Sequence, residues 1–352
     1  MYKRQGAFYV WTPDQLAAAL GPDDGSWAAE VFTVTAEGTF ETGASTLQLL
    51  ADSPDPLRLA AVRDRLRRVR EARPRPARDD KVVAAWNGWL VDSLVLAAMI
   101  FDRPEWLRMA AEAAEAVWRV HWQDGRLRRV SRNGRPGSAP GILEDYAALA
   151  QASVRLASAL ADPSWLDRAR SLLAVVLDQF DDSGEGFFDT AAEAEALYTR
   201  PQDPTDNATP SGLSAAVHAL GLMAELTGEN EYAERAERAA RSVAGLALQA
   251  PRFAGWLLAD AISRTTGHTP VQVAVVGPES TTGAAPQAAL VREAYLRAAA
   301  GSVVVAGMPD QPGFVLLADR PLLEGRTTAY VCRGFVCRLP VTSVDAIAAQ
   351  LG

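Results

Sequence analysis

Residues 73–89 read RPRPARDDKVVAAWNGW, and the change of character within this stretch predicts a helix with a polar entrance. A proline- and arginine-rich segment stops at the Asp-Asp-Lys of positions 79–81, and an almost wholly apolar run follows. Asn87 and Gly88 interrupt that run, although glycine costs a helix roughly 0.5–1 kcal/mol relative to alanine. Two interpretations are open. Either Gly88 lies close to another helix while Asn87 holds a neighbouring loop, or Asn87 reaches a cavity.

Polar entrances of this kind recur along the chain at even spacing. Asp80, Asp145 and Pro210 mark these entrances, and the two intervals are equal (145 − 80 = 65 and 210 − 145 = 65). Apolar helices are predicted to begin close to these positions, near Lys81, Ile142 and Gly212, with a fourth, shorter one over 252–264. Each long one is apolar nearly all round, which is typical of a helix buried on both sides.

Each long apolar helix is followed by a second helix of a different kind. These second helices are predicted to begin at Pro104, Pro163 and Asn230. In the first of them the apolar side chains form one stripe and the charged ones face away, which indicates an amphipathic helix. Buried and amphipathic helices in alternation predict two concentric layers. We therefore expect a mainly α protein, a partial α/α toroid of helical hairpins, with an open solenoid as the alternative.

The N-terminal end departs from this repeat. Ala7–Trp11 is strand-like, and it leads into a helix through Thr12-Pro13-Asp14-Gln15, which has the pattern of a capping box. A soluble domain does not usually begin with an exposed aromatic strand, so we expect that the sequence lacks an upstream part. The first 55 residues are therefore predicted to be a strand–turn–helix remnant, and residues 56–266 to be the helical hairpins.

Residues 267–352 are predicted to form a small α/β unit. The β runs Val271–Val276 and Ser302–Ala306 flank a helical segment over 284–300, a strand–helix–strand step that allows parallel strands. Further β runs are predicted over 314–317 and 329–337, and a short helix ends the chain.

Composition indicates a soluble, cytoplasmic protein. The net charge of −8 argues against nucleic acid as a partner, and the basic stretch Arg58–Arg78 is interpreted as a solvated helix face. The chain start has no signal sequence, and polar or charged residues interrupt every apolar run of transmembrane length, so we expect no membrane. The C-x4-C spacing of Cys332 and Cys337 is a weak metal signature, and residues five apart in a strand face opposite sides. We expect buried or redox-silent thiols, no metal and no cofactor.

The helix entrances are where the sequence gathers its candidate catalytic groups. In a two-layer ring the loops that lead into the inner helices form one end, so carboxylates from neighbouring entrances are expected to face one basin. Hydrolysis of a glycosidic bond uses two such carboxylates, one as an acid and one as a base or nucleophile. Asp80 and Asp145 are the predicted pair, with Asp79, Glu144 and Asp206 as substitutes. Simple capping of the helix N-termini is the alternative.

The same entrances supply candidate binding groups, namely Lys81, Trp86, Asn87, Tyr146, Phe188, Arg200, Thr209 and Ser211. Aromatic residues among them, and Trp89, offer flat faces for a sugar ring, although packing in the core is the alternative for each. The three histidines do not cluster in sequence. We expect core or surface roles for His121, His218 and His268.

Several stretches of the chain match the motifs of a known family in order. They are GAFYVWT (6–12), RPARDDKVVAAWNG (75–88), LEDYA (143–147), GFFDT (186–190), RPQDPTDNATPSG (200–212) and AYVCRGFVC (329–337). Through them the chain resembles the C-terminal part of the YyaL family of thioredoxin domain-containing proteins, which includes spermatogenesis-associated protein 20.

The resemblance implies a helical toroid like those of the six-hairpin glycosidases and the N-acylglucosamine 2-epimerases. It also implies that a thioredoxin-like domain and the first hairpins of the ring precede this segment in the full-length protein. A sugar-like small molecule is the expected ligand, with hydrolysis favoured over epimerisation. The alternative is a non-catalytic ring that binds a ligand or partner for the thioredoxin-like domain.

Overall fold

The computed structural model describes residues 6–40, 43–183, 185–195, 198–263, 270–278 and 285–352. The chain divides into two compact units, residues 1–79 and residues 80–352. The domain boundaries predicted after residues 55 and 266 stay predictions, and the two units are described separately below.

The first unit contains three helices around a small core. A 3₁₀ turn over Gly6–Phe8 precedes α1 (Pro13–Leu20), α2 (Pro22–Val31) and α3 (Pro56–Glu71). The predicted capping box is confirmed, since Gln15 N donates to Thr12 Oγ1 and the Gln15 side chain accepts from Thr12 N. The predicted strand over Ala7–Trp11 is wrong. The N–H groups of Tyr9 and Val10 bond back to Gly6 O, so the segment turns on itself, and Trp11 alone bridges to Ser45.

The second unit begins with helical hairpins, and the helix starts agree closely with the sequence pattern. The apolar helices are α4 (Ala84–Phe101), α6 (Leu143–Leu160), α8 (Gly212–Thr227) and α11 (Gly255–Ser263). Between them lie α5 (Pro104–His121), α7 (Pro163–Gln179), α9 (Asn230–Ser242) and the short α10 (Ala244–Gln249). Helices α4, α6, α8 and α11 pack side by side, and α5, α7 and α9 pack on the outside of α4, α6 and α8. This arrangement confirms a mainly α fold of two-layer hairpins, a partial α/α toroid.

Short strands connect the first two hairpins. They are β1 (Val82–Val83), β2 (Trp122–Gln123), β3 (Arg126–Leu127), β4 (Val130–Arg132) and β5 (Arg135–Pro136). Strands β2 and β3 form one antiparallel pair, and β4 pairs with both β1 and β5.

Gly88 is the point where α4 and α6 come closest. A Cβ atom at Gly88 would lie 2.6 Å from the carbonyl carbon of Ala148, which no side chain tolerates. The predicted close helix approach is therefore confirmed. Asn87 has a more local role than the neighbouring-loop contact predicted for it, because its Nδ2 donates to Val83 O at the start of the same helix.

Helix α4 is long and apolar enough to cross a membrane by length and composition. It packs against α5 and α6, and Asp92 in its middle is ion-paired with Arg155 of α6. Both contacts are typical of a helix in the core of a folded protein.

The C-terminal part of this unit is a four-stranded sheet with two helices. Its elements are β6 (Gln272–Val276), α12 (Ala285–Arg297), β7 (Val303–Gly307), β8 (Thr328–Arg333), β9 (Val336–Cys337) and α13 (Val344–Leu351). The strand order is β7-β6-β8-β9, and β6 and β7 are parallel, as the strand–helix–strand pattern predicted. The β run predicted over 314–317 is instead a 3₁₀ turn, Val315–Leu317. Strand β7 packs on α6, so the sheet lies against the apolar helices.

Cys332 and Cys337 correct a further prediction, since they form a disulfide. The chain reverses between them at Gly334 and Phe335, which both have positive φ, and the two cysteines become direct partners across the β8–β9 hairpin. The expectation of opposite faces assumed one continuous strand.

Candidate functional site

Asp145 is a buried connector between two helix N-termini. Its side chain is 0% exposed, and its oxygens accept from Ala85 N at 3.0 Å, Ile142 N at 3.0 Å and Arg129 Nη1 at 2.9 Å. Burial raises the pKa of the Asp145 carboxyl, while the hydrogen bonds from Ile142 and Ala85 and the charge of Arg129 oppose that rise. With every bond directed at backbone or arginine, this carboxylate holds the start of α4 to the start of α6.

Asp206 repeats this arrangement one hairpin further along. Its Oδ1 accepts from Ser211 N, at the N-cap of α8, at 2.8 Å. Its Oδ2 accepts from Trp256 N, in the first turn of α11, also at 2.8 Å. Asp206 is 3% exposed. We call Asp145 and Asp206 the entrance carboxylates.

The other predicted acids lie outside this buried pattern. Asp80 is partly exposed and forms an ion pair of 2.7 Å with Arg132. Glu144 is ion-paired with Arg129 at 2.7 Å. Asp79 and Lys81 are exposed, and Asp79 ends the first unit while Lys81 follows Asp80 in the second. The predicted pair thus combines one partly exposed and one fully buried carboxylate.

The predicted aromatic platforms differ in their surroundings, and other predicted binding groups make local contacts. Trp86 is 63% exposed on α4. Tyr146 is buried, its hydroxyl accepts from Leu127 N at 2.8 Å, and burial raises its pKa. The Arg200 guanidinium lies 4.0 Å from the ring centre of Phe188. Ser211 caps α8 by accepting from Ser214 N.

A cavity of about 590 Å³ lies among α4, α6, α8, α11 and the C-terminal segment. Thr209 of the predicted binding set lines it, as does Trp89. The remaining wall includes Ser93, Gln151, Pro210, Ser214, Trp256, Tyr295 and Ser302. We call this space the helix-layer cavity. Its size is typical of a small-molecule site.

Besides Tyr295, four charged or ionisable side chains stand in its wall, one from each of the helices α4, α6, α8 and α11. They are Asp92, Arg155, His218 and Asp260. Arg155 Nε donates to Asp92 Oδ1 at 3.1 Å, and its Nη1 donates to Ser302 O at 3.0 Å. His218 Nδ1 lies 3.0 Å from Asp260 Oδ1. The wall therefore holds one paired cation and one imidazole–carboxylate pair.

None of these four residues is among the site residues predicted from the sequence, although the sequence contains a signal for them. Asp92, Arg155 and His218 are equally spaced (155 − 92 = 63 and 218 − 155 = 63), and each lies within a largely apolar helix. A polar residue that recurs at the repeat period inside a buried helix identifies the face toward a shared cavity. The prediction from the sequence instead uses the helix entrances at positions 80, 145 and 210, which are 65 residues apart. His218 was assigned to the core or surface, and His268 lies outside the described residues.

Tyr295 and Trp89 both line the cavity, and their polar groups are buried. Burial, together with the nearby charge of Asp92, raises the pKa of Tyr295 to about 12, so its phenol stays protonated at neutral pH. The indole N–H of Trp89 is buried and has no hydrogen-bond partner within the described part of the chain.

The His218–Asp260 pair is suited to proton transfer. A carboxylate only accepts, so Nδ1 must carry the proton in this bond, and in the neutral imidazole Nε2 keeps its lone pair. An imidazole oriented in this way takes up a proton while the carboxylate stabilises the resulting charge. Across the described residues, no group of three or more His, Cys, Asp or Glu side chains is placed to hold a metal ion.

Comparisons with solved structures find partial likenesses to sugar-active enzymes. An α-mannanase of glycoside hydrolase family 76 from Bacteroides thetaiotaomicron is 14% identical, with a TM-score of 0.44 over 55% of each chain. Cellobiose 2-epimerase from Spirochaeta thermophila is 14% identical, with a TM-score of 0.42 over 65% of each chain.

Sequence comparisons find relatives in animals, while no family model matches the chain. Human spermatogenesis-associated protein 20 is 26% identical over 96% of this chain and 48% of its own length. The rat protein of the same name is 27% identical over 79% of this chain and 37% of its own. An uncharacterised Caenorhabditis elegans protein is 26% identical over 79% of this chain and 39% of its own. The matches span about half the length of these relatives or less, and over that part the chain is similar in sequence to spermatogenesis-associated protein 20.

Proposed function

We propose that the helix-layer cavity binds an uncharged, sugar-like molecule and that His218 transfers a proton to or from it. The observation that carries this proposal is the hydrogen bond between His218 Nδ1 and Asp260 Oδ1, 3.0 Å long, in the wall of a cavity of about 590 Å³. This proposal keeps the carbohydrate chemistry expected from the sequence and moves it to other residues.

The charges of the wall favour a neutral ligand. Arg155 and Asp92 neutralise each other, and Asp260 is engaged by His218. The indoles of Trp89 and Trp256 offer apolar surfaces of the kind that pack on the C–H face of a sugar ring. The Tyr295 phenol and the hydroxyls of Ser93 and Thr209 offer donors to its oxygens.

The partners of the two cavity carboxylates, Asp92 and Asp260, favour proton transfer over hydrolysis. Hydrolysis by two carboxylates needs both to be available to the glycosidic bond and to water. Here each cavity carboxylate already has a cationic or imidazole partner, whereas His218 is partly exposed and lines the space. Proton transfer at a carbon next to a carbonyl, as in the isomerisation of a reducing sugar, needs only one such base.

The proposal is tested by proton NMR of the protein with a panel of reducing mono- and disaccharides in D₂O. We expect loss of the C2 proton signal of one sugar and appearance of an isomer, both abolished in H218N. Release of a free monosaccharide from a disaccharide, unchanged in H218N, would overturn it.

The alternative is a binding ring without catalysis. The entrance carboxylates favour this alternative because both accept hydrogen bonds from backbone N–H groups at helix starts. Saturable quenching of tryptophan fluorescence by a sugar, lost in W89F and without any exchange or product, would establish this alternative.

A further inference from the structure

The disulfide between Cys332 and Cys337 is poorly explained as a structural link. It closes a loop of four residues within a hairpin that two ladder pairs already hold, Cys332 with Cys337 and Arg333 with Val336. A disulfide stabilises least when the loop it closes is short, because it removes little freedom from the unfolded chain. The two ladder pairs can therefore hold this hairpin when the disulfide is reduced.

The two sulfurs differ in access. Cys332 is 1% exposed in the middle of the sheet, whereas Cys337 is partly exposed on β9. Strand β9 is at the edge of the sheet order β7-β6-β8-β9. An incoming thiolate can thus approach Cys337 from the open side.

A cation lies at the accessible sulfur. Arg320 Nη2 is 3.1 Å from Cys337 Sγ, and the guanidinium is held by Asp319 O and by the ring of Tyr330, 5.4 Å from its centre. No carboxylate in the described part of the chain forms an ion pair with Arg320. An arginine beside a cysteine stabilises its thiolate form and attracts an anionic nucleophile.

We propose that Cys332–Cys337 is a thiol–disulfide exchange site that is reduced by a dithiol and re-formed by a disulfide. A thiolate of the dithiol attacks Cys337 Sγ, the Cys332–Cys337 bond breaks, and Cys332 leaves and takes up a proton. The second thiolate of the reductant then attacks the other reductant sulfur, which is bonded to Cys337 in the mixed disulfide. This step releases Cys337 as a thiolate beside Arg320. The dithiol loses two electrons and becomes a disulfide, and the two cysteines gain them.

The proposal predicts reduction without unfolding. The oxidised protein is incubated with dithiothreitol in native buffer, alkylated with iodoacetamide and weighed by mass spectrometry, with circular dichroism recorded in parallel. We expect full reduction with an unchanged far-ultraviolet spectrum. Reduction only in the presence of denaturant would overturn the proposal.

Arg320 supplies the sharper test, because its charge should affect the reactivity of Cys337. A disulfide that only links two strands would not depend on that charge. The reduced protein is alkylated over a range of pH to obtain the pKa of Cys337 from the rate. We expect a value below the ordinary thiol pKa of about 8.5, and a return toward it in R320M but not in R320K. R338M removes a neighbouring charge that contacts Gln350 O instead, and it should leave the rate profile unchanged. Identical profiles for the wild type and R320M would contradict the proposed role of the site.

Discussion

His218 on α8 and Asp260 on α11 form a hydrogen bond of 3.0 Å between Nδ1 and Oδ1, and this bond connects two neighbouring apolar helices at the cavity wall. Asp260 also lines a second cavity of about 650 Å³ on its other side. One carboxylate thus separates two spaces and orients the imidazole in one of them.

Replacing Asp260 with asparagine is expected to remove proton transfer while leaving ligand binding nearly intact. The amide can present its N–H to Nδ1 and so favours the wrong tautomer of His218. Loss of an oriented general base lowers turnover by about 10² to 10⁴-fold. The deuterium exchange rate in D₂O and the sugar dissociation constant measure the two effects. D80N, at a partly exposed ion pair outside the cavity lining, is the matched control and should keep the wild-type rate. A rate in D260N within a factor of two of the wild type would exclude this role.

Asp145→Asn is expected to destabilise the protein strongly. An amide group retains one acceptor oxygen, whereas Asp145 accepts from Ala85, Ile142 and Arg129 with both oxygens. At least one buried donor then faces the new NH₂ group, at a cost of about 2–5 kcal/mol. Urea unfolding followed by circular dichroism measures the change. The partly exposed D80N should cost less than about 1 kcal/mol. Equal stabilities of the two variants would show that Asp145 does not connect the helices.

Gly88→Ala is expected to lower stability although alanine favours helices. The new Cβ would meet Ala148 backbone atoms at 2.6 and 2.7 Å, and overpacking of this kind costs about 1–3 kcal/mol. Gly245→Ala is the matched control, because Gly245 lies in α10 with nothing within 4 Å of a new Cβ. That control should gain up to about 1 kcal/mol from helix propensity. The difference between the two melting temperatures tests the close approach, and a stabilised G88A would contradict it.

His121 is expected to make the protein sensitive to mild acid. It is 0% exposed, its Nδ1 lies 2.8 Å from Arg128 O and its Nε2 lies 2.8 Å from Ser131 Oγ. Burial lowers its pKa below the ordinary value of 6.5. Just below pH 6.5, the His121 side chain therefore binds a proton in the unfolded chain but not in the folded protein.

Stability should therefore be fully present above pH 6.5 and decline as the pH falls toward the folded pKa, by at most about 1.4 kcal/mol per pH unit. Unfolding in urea at a series of pH values from 8 to 5 measures this slope. The H121N variant should be less stable at pH 8 but should lose the part of the slope that His121 contributes. An unchanged slope in H121N would assign the acid sensitivity to other groups.

The hairpin repeat could be predicted because local signals and burial agree there. Pro104, Pro163 and Asn230 begin their helices as the sequence indicated, and the Thr12–Gln15 capping box forms. Each of these features depends on residues within one turn of one another, or on a periodicity that the helix itself imposes.

The cavity is harder to identify from the sequence because its wall combines residues of α4, α6, α8, α11 and the C-terminal segment. An aspartate at a helix start looks the same in sequence whether it caps the helix or takes part in catalysis. Asp145 and Asp206 were therefore predicted as candidate catalytic residues. Asp92 and Arg155 are buried as a pair 63 positions apart, and neither is informative without the other. The disulfide was missed for a related reason, since the reversal at Gly334 is a turn inside a continuous β-like run.

The entrance carboxylates also bear on how the molecule assembles. Asp145 joins groups 60 positions apart in adjacent hairpins, and Asp206 joins groups 50 positions apart in the next two. Every such bond links a hairpin to its immediate neighbour, as in linear repeat proteins whose stability is a sum of units and nearest-neighbour interfaces. Order is thus expected to spread from one hairpin to the next during folding, and amide hydrogen exchange should slow toward α6, which is bonded or packed on both sides.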